Sequence, residues 1–130
     1  MEMLTYHEEN IKDLALKTMW YAEDFYESLS AELDARLDRK TFNEQILFAY
    51  HSTAYSTFMG FKLYYLQNTE LSESKFDRFI EAFERFNLEF LSSRSTGHSM
   101  QHTFMYYGDL VDTFNDLADL LQIQHIKKPD

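Results

Sequence analysis

Three histidines and one arginine carry the spacings in this chain that could do chemistry. His98 and His102 stand at i and i+4 behind Gly97, and His51 lies on an earlier helical segment. That spacing can bring two imidazoles to one metal ion, with His51 as a third ligand. Arg94 pairs a guanidinium with the His98 imidazole across three intervening residues, in the run RSTGH. Ser52, Thr53, Ser56 and Thr57 place hydroxyls near His51, but no base is arranged to activate one of them. Hydrogen bonds back to their own helix, or an interface, are the expected use of these hydroxyls. Gly60, Gly97 and Gly108 are isolated, so there is no glycine-rich phosphate loop. Close helix packing is the expected reason for Gly60 and Gly108.

In the three histidine positions alone, the chain resembles the DinB-like helical bundles. Those proteins take one histidine from the second helix and a His-x-x-x-His pair from the last. The resemblance implies a metal- or small-ligand-binding bundle using His51, His98 and His102. Arg94 and His98 also resemble the Arg–His pair of the HEPN ribonucleases, with a spacer one residue short; this implies an RNase using those two residues. Helical geometry opposes the metal reading. If Phe104, Tyr107 and Val111 face inward, His98 and His102 lie about half a turn away, toward solvent. The acidic charge opposes the RNase reading, since it repels phosphate. The expectation is no catalytic residue, no metal and no cofactor.

The bulk numbers narrow the class. At 130 residues the chain is long enough for one domain, spanning 1–130, with a core of its own. A hydrophobic fraction of 45% with 17% aromatics excludes a disordered chain. Three glycines and one proline serve turn-rich β folds poorly. The absence of cysteine removes any disulfide framework or thiolate metal site. MEMLTYHEEN lacks a basic region followed by an apolar run, so it does not read as a signal peptide. The most membrane-like segment, Ile46 to Leu66, carries His51, Lys62 and four tyrosines and reads as a soluble helix. A cytoplasmic location is expected. The net charge of −10 disfavours direct nucleic-acid binding and anionic membranes, and suits a partner with a basic surface.

Four helices are expected, in an all-α bundle running up-down-up-down, with long first, second and fourth members. The first spans Tyr6 to Leu37, opened by a Thr5–Glu8 capping box, with a break or bend near Ser28–Ser30. Its inner face is Ile11, Leu14, Ala15, Thr18, Ala22, Phe25, Leu29 and Leu33. The second spans Phe42 to Asn68, opened by Thr41 and Glu44. The third spans Lys75 to Leu91, with a seam of Phe76, Phe79, Phe83, Phe86 and Phe90 widened by Ile80 and Leu91. Ser92 to Gly97 reads as a loop. The fourth spans His98 to Ile123, with Met100, Phe104, Tyr107, Val111, Phe114, Ala118 and Leu121 inward, and a short polar tail follows.

The second helix is the anomaly. Between Phe42 and Asn68 it holds one acid, Glu44, and one base, Lys62. Phe42, Ile46, Ala49, Phe61 and Tyr64 form one apolar set, which the bundle can cover. Phe48, Tyr55, Met59 and Leu66 form a second, which it covers in part. A helix apolar all round must be covered all round. Leu16 and Trp20 face outward from the first helix among Glu9, Asp13, Asp24 and Glu27, the composition of an anchor with a polar rim. Asp109, Asp112, Asp116 and Asp119 form an acidic stripe on the fourth helix, with no base between His98 and Ile126 to balance it. The expected function is a small acidic, non-enzymatic protein-interaction module of the regulator, inhibitor, immunity or adaptor kind. It would present an apolar-aromatic surface with an acidic rim, to a second copy of itself, to another protein, or to both.

Overall fold

The computed structural model describes residues 2–68, 71–96 and 100–129, with side chains from Glu8 onward except those of 95 and 96. Four α-helices follow one another: α1 Glu2–Leu37, α2 Glu44–Gln67, α3 Ser74–Thr96 and α4 Gln101–Leu121. No strand occurs among the described residues. Short connections make sequential helices antiparallel neighbours. α1 packs closely on α2 and α3 on α4, and the two hairpins then meet face to face.

Aromatic rings fill the space between the hairpins. Phe58 stacks on Phe83 with centroids 4.0 Å apart, Tyr65 on Phe76 at 4.7 Å, and Phe61 meets Phe79 edge-on at 5.3 Å. Phe25 of α1 reaches Phe90 edge-on at 4.7 Å. Rings of this size hold the α2 and α3 backbones apart while leaving the core closed. All five phenylalanines of the α3 seam are buried, as their spacing predicts. So are Ile11, Ala15, Thr18, Ala22, Phe25 and Leu29 of α1, and Tyr107, Val111, Phe114, Ala118 and Leu121 of α4.

Several local expectations are corrected. α1 starts ahead of Thr5, so Thr5 is not its cap, and it runs unbroken through Ser28–Ser30. α2 is capped by Asn43, whose Oδ1 accepts from the Gln45 amide at 3.0 Å, rather than by Thr41. The turn before it needs Arg39 in the left-handed region, φ 57°, where the Lys40 amide closes on the Ala35 carbonyl at 2.7 Å. Ser92 to Thr96 continue α3 rather than forming a loop. Leu91 lies on the exposed side of that helix, one residue past the seam.

The inner face of α2 is Leu47, Ala54, Phe58, Phe61 and Tyr65. Ile46 and Ala49, expected inward, are exposed. With apolar residues on every side, periodicity alone could not choose which stripe faces the core. The large rings of Phe58 and Phe61, opposite the α3 seam, decide it.

Past α4 the chain turns back. Gln122 adopts φ 58°, and the Ile123 amide bonds to the Ala118 carbonyl at 3.0 Å. Residues 123–129 then run along α4. Asn115 clamps them with two hydrogen bonds: its Nδ2 donates to the Ile126 carbonyl at 3.0 Å, and its Oδ1 accepts from the Ile126 amide at 2.9 Å. The Ile126 side chain is buried. The segment is a strap on the bundle rather than a polar tail.

Candidate functional site: the outer face of the second helix

His51 and Arg94, two of the residues whose spacing could do chemistry, are engaged in holding the fold. His51 is half-buried between the hairpins. Its Nε2 lies 2.6 Å from Asn87 Oδ1 of α3, so the imidazole donates to that amide oxygen. Its ring stands edge-on to Phe25 at 5.2 Å and tilted against Phe90 at 4.9 Å. His102 is exposed on the first turn of α4. His98 lies outside the described residues. No group of three His, Asp or Glu side chains placed to hold a metal occurs among the described residues.

Arg94 closes a clasp across the bundle. Its guanidinium pairs with Glu32 of α1 and, at 3.4 Å, with Glu44 at the start of α2. It also sits 5.8 Å from the Phe48 ring centroid and 5.4 Å from that of Phe90. The Glu32 side chain is 2% exposed and the Arg94 side chain 17%. A buried carboxylate needs such a partner. Arg36 adds a contact 3.1 Å from the other Glu32 oxygen. Sequence reasoning read Arg94 only beside His98 and missed this long-range pairing. The available signal was Glu32 at an inward register of α1, four residues before Arg36.

The α4 stripe is answered from within the chain. Lys128 reaches Asp112 at 2.9 Å and His125 reaches Asp119 at 2.6 Å, both from the strap. Asp109 lines a groove with Arg78 and Arg85 of α3. Asp116 is exposed. The stripe therefore does have bases, supplied by chain that follows the helix. At the far end of the strap, Lys127, Lys128 and Pro129 line a cavity of about 270 Å³ with Glu23, Tyr26, Glu27 and Tyr107. Tyr26 and Tyr107 stack there at 4.1 Å. Burial first, and then the nearby Glu23, raise the Tyr107 phenol above its ordinary value. Burial, Glu27 and Asp24 raise Glu23.

On α1, Trp20 is exposed while Leu16 is half-buried and packs against the core. The two do not form one outward pair.

Leu37, Leu88 and Met105 are exposed on the other helices, whereas the outer face of α2 exposes several large apolar side chains together. Phe48, Tyr55 and Leu66 are 41%, 40% and 57% exposed, and Ile46 and Leu63 are 52% and 51%. Met59 is half-buried against the core. Gln45, Ala49, Ser52, Thr53, Ser56 and Gly60 are exposed between these larger groups. Two of the threonine hydroxyls turn back on their own helix: Thr53 donates to the Ala49 carbonyl at 3.1 Å and Thr57 to the Thr53 carbonyl at 2.9 Å. The face carries no formal charge. Glu44 is held by Arg94 at its edge, and Lys62 is held by Glu84 of α3 at 2.8 Å. An added Cβ at Gly60 meets no atom within 4 Å, so packing inside the chain does not account for this glycine. Gly108 differs, since a Cβ there would touch Lys128 Cε of the strap at 3.5 Å.

No described helix is long and apolar enough to cross a membrane. No family model, characterised protein or solved structure matches the chain.

Proposed function

We propose that this chain is a non-enzymatic protein-interaction module whose working surface is the outer face of α2. One observation carries the reading. In a chain of net charge −10, a whole helix face is left without charge and exposes Ile46, Phe48, Tyr55, Leu63 and Leu66. Exposed single apolar residues are ordinary; five large apolar side chains spread over the solvent side of one uncharged helix are the composition of a docking surface. Acidic groups lie around it, with Glu44 at one end and Glu84 along the α3 side. This is the polar rim that typifies protein interfaces.

A metal-binding role for His51, His98 and His102 has less support, because His51 is occupied by Asn87 and Phe25. An RNase role for Arg94 has less still, because its guanidinium is held by Glu32.

The test is affinity capture from the native host, with the wild type beside Leu63→Lys. Leu63 is exposed, so the variant should keep the wild-type circular dichroism, and its melting temperature at concentrations where the chain is monomeric. The wild type should retain a partner, whether another copy or a different protein, and the variant should lose it. Equal retention by both would move the working surface off α2.

A further inference from the structure

We infer that the occupant of the α2 face is a second copy of this chain, docked antiparallel about a two-fold axis near Ser56. This rests on the α2 face being the working surface, and it names the partner.

The outward seam of α2 is Gln45, Ala49, Ser52, Ser56, Met59, Leu63 and Leu66. These residues step by four and three throughout, the spacing of a helix that packs along another helix. Their sizes are unevenly distributed. After Gln45 the first half of the seam is small, with Ala49, Ser52 and Ser56, and Phe48 stands at its shoulder in line with Leu66. The second half is large, with Met59, Leu63 and Leu66, and Gly60 is the one gap beside them. A parallel pair would set small against small and large against large, leaving voids at one end and overlap at the other. An antiparallel pair sets Ala49 against Leu63 and Ser52 against Gly60, with Ser56 near its own image. A two-fold contact requires this kind of self-complementarity, because each patch meets itself reversed.

Charge narrows the occupant further. The exposed faces of α1 and α4 are rich in acids, so two copies meeting there would bring like charges together. The α2 face has no charge to repel its own image. Antiparallel helices also place opposite dipole ends together.

Gly60 is a separate observation. A mid-helix glycine lowers helix stability relative to alanine, and nothing in the chain occupies the space beside it. Close approach of an external backbone accounts for both facts. The area is also adequate. A helix of 24 residues is about 36 Å long. The outer half of a helix about 10–12 Å across, from the shoulders of Phe48 and Tyr55 round to Ile46, measures about 17 Å. That gives about 600 Å² per copy, the lower end of the roughly 600–1,000 Å² per partner of a standard interface.

The chain has no cysteine, so single-cysteine variants report register directly. Ala49→Cys and Leu63→Cys are mixed in equal amounts and treated with a short bis-maleimide. The mixture should cross-link. Neither variant should do so alone, because like positions would lie about 21 Å apart along the helices. Sedimentation should show a dimer for the wild type, and Ser56→Arg should weaken it at least about tenfold by placing two cations at the axis. Cross-linking of each variant alone would overturn the antiparallel register. A wild type that stays monomeric up to hundreds of micromolar would overturn self-association. In that case binding of the neutral dye Nile red, lost in Leu63→Lys, would leave the α2 face standing as a surface for another protein. Dye binding that ignores Leu63→Lys would remove both readings, as would a dimer that ignores Ser56→Arg and dissociates in Trp20→Ala.

Discussion

The outer faces of α2 and α4 are opposites. The α4 face is charged and strapped: Asp112 and Asp119 stay exposed but meet Lys128 and His125, and residues 123–129 lie along the helix. The α2 face is uncharged and bare, although it is the more apolar of the two. The difference shows where this molecule has unsatisfied surface. A stripe of aspartates in sequence invites a search for an external base, but here the chain brings its own. The serines and threonines of α2 attract no such attention. The Thr53 and Thr57 hydroxyls turn back on their own helix and end on backbone carbonyls. What they leave to solvent is small, nearly apolar surface between exposed rings.

The largest test sets the two sides of α2 against each other. Phe58 is fully buried and stacked on Phe83, while Leu63, a turn and a half later, is half exposed. Phe58→Ala should lower folding stability by about 3–5 kcal/mol, whereas Leu63→Lys should leave it within roughly 0.5 kcal/mol at concentrations where the chain is monomeric. Urea denaturation read by circular dichroism checks both. Similar losses would mean that α2 has no free face. Arg94→Ala should cost less than Phe58→Ala, about 1–3 kcal/mol, because it takes one of two guanidinium partners from the buried Glu32 carboxylate and leaves it Arg36. Adding Glu32→Leu to that variant should recover part of the loss, since an apolar side chain needs no partner there.

The covered side of the comparison turns on the strap. Asn115→Ala removes both hydrogen bonds to Ile126 and should cost about 1–3 kcal/mol. Lys128→Ala should cost less than about 1 kcal/mol, and that cost should shrink as salt rises, because its pair with Asp112 is exposed. If Lys128→Ala matched Asn115→Ala, charge rather than the Asn115 clamp and the buried Ile126 would hold the strap.

Most of the fold was legible in the sequence. The five-phenylalanine step of α3 and the periodic faces of α1 and α4 each have a single apolar stripe, so period and burial agree. α2 has apolar groups on all sides, and there the period left the inward direction open; Ile46 and Ala49 were misplaced for that reason. Helix ends were the other weak point. Thr41 and Asn43 are both competent caps, and only the left-handed turn at Arg39 selects Asn43. The exposure of Phe48, Tyr55 and Leu66 followed from the count of apolar residues against the helices able to cover them. The Arg94–Glu32 pair and the Asn115 clamp on the strap join residues 62 and 11 positions apart, and local patterns carry no such information.

Gly60 gives a signed test of the bare face. Gly60→Ala adds a methyl where no atom of the chain stands within 4 Å, so the monomer should gain up to about 1 kcal/mol from helix propensity alone. The same change at Gly108 brings its methyl into ordinary contact with Lys128 Cε at 3.5 Å and should gain as much. Thermal melts of the two variants at low concentration check both. A loss at Gly60 would mean that its outer side is filled within the monomer.

The smallest effect lies where the strap ends against α1. Glu23 lines the cavity below Lys127, Lys128 and Pro129, and burial, then Glu27 and Asp24, raise its carboxyl above the ordinary value of 4.5. A carboxyl raised by folding is less acidic in the native state than in the unfolded chain. The unfolded chain therefore loses its proton first as pH rises. Folding is penalised once pH passes through the raised value, and the penalty disappears below the ordinary one. Glu23→Gln removes the charge without removing the side chain. It should raise the melting temperature slightly at neutral pH and leave it unchanged near pH 4, the two curves converging as acid is added. Glu27→Gln should give part of the same gain, because it removes the first-ranked charge acting on Glu23. A Glu23→Gln variant less stable than wild type at neutral pH would instead show that the carboxylate is held favourably by Lys127 or Lys128. The strap would then be fastened by charge at this end as well as by Asn115 in its middle.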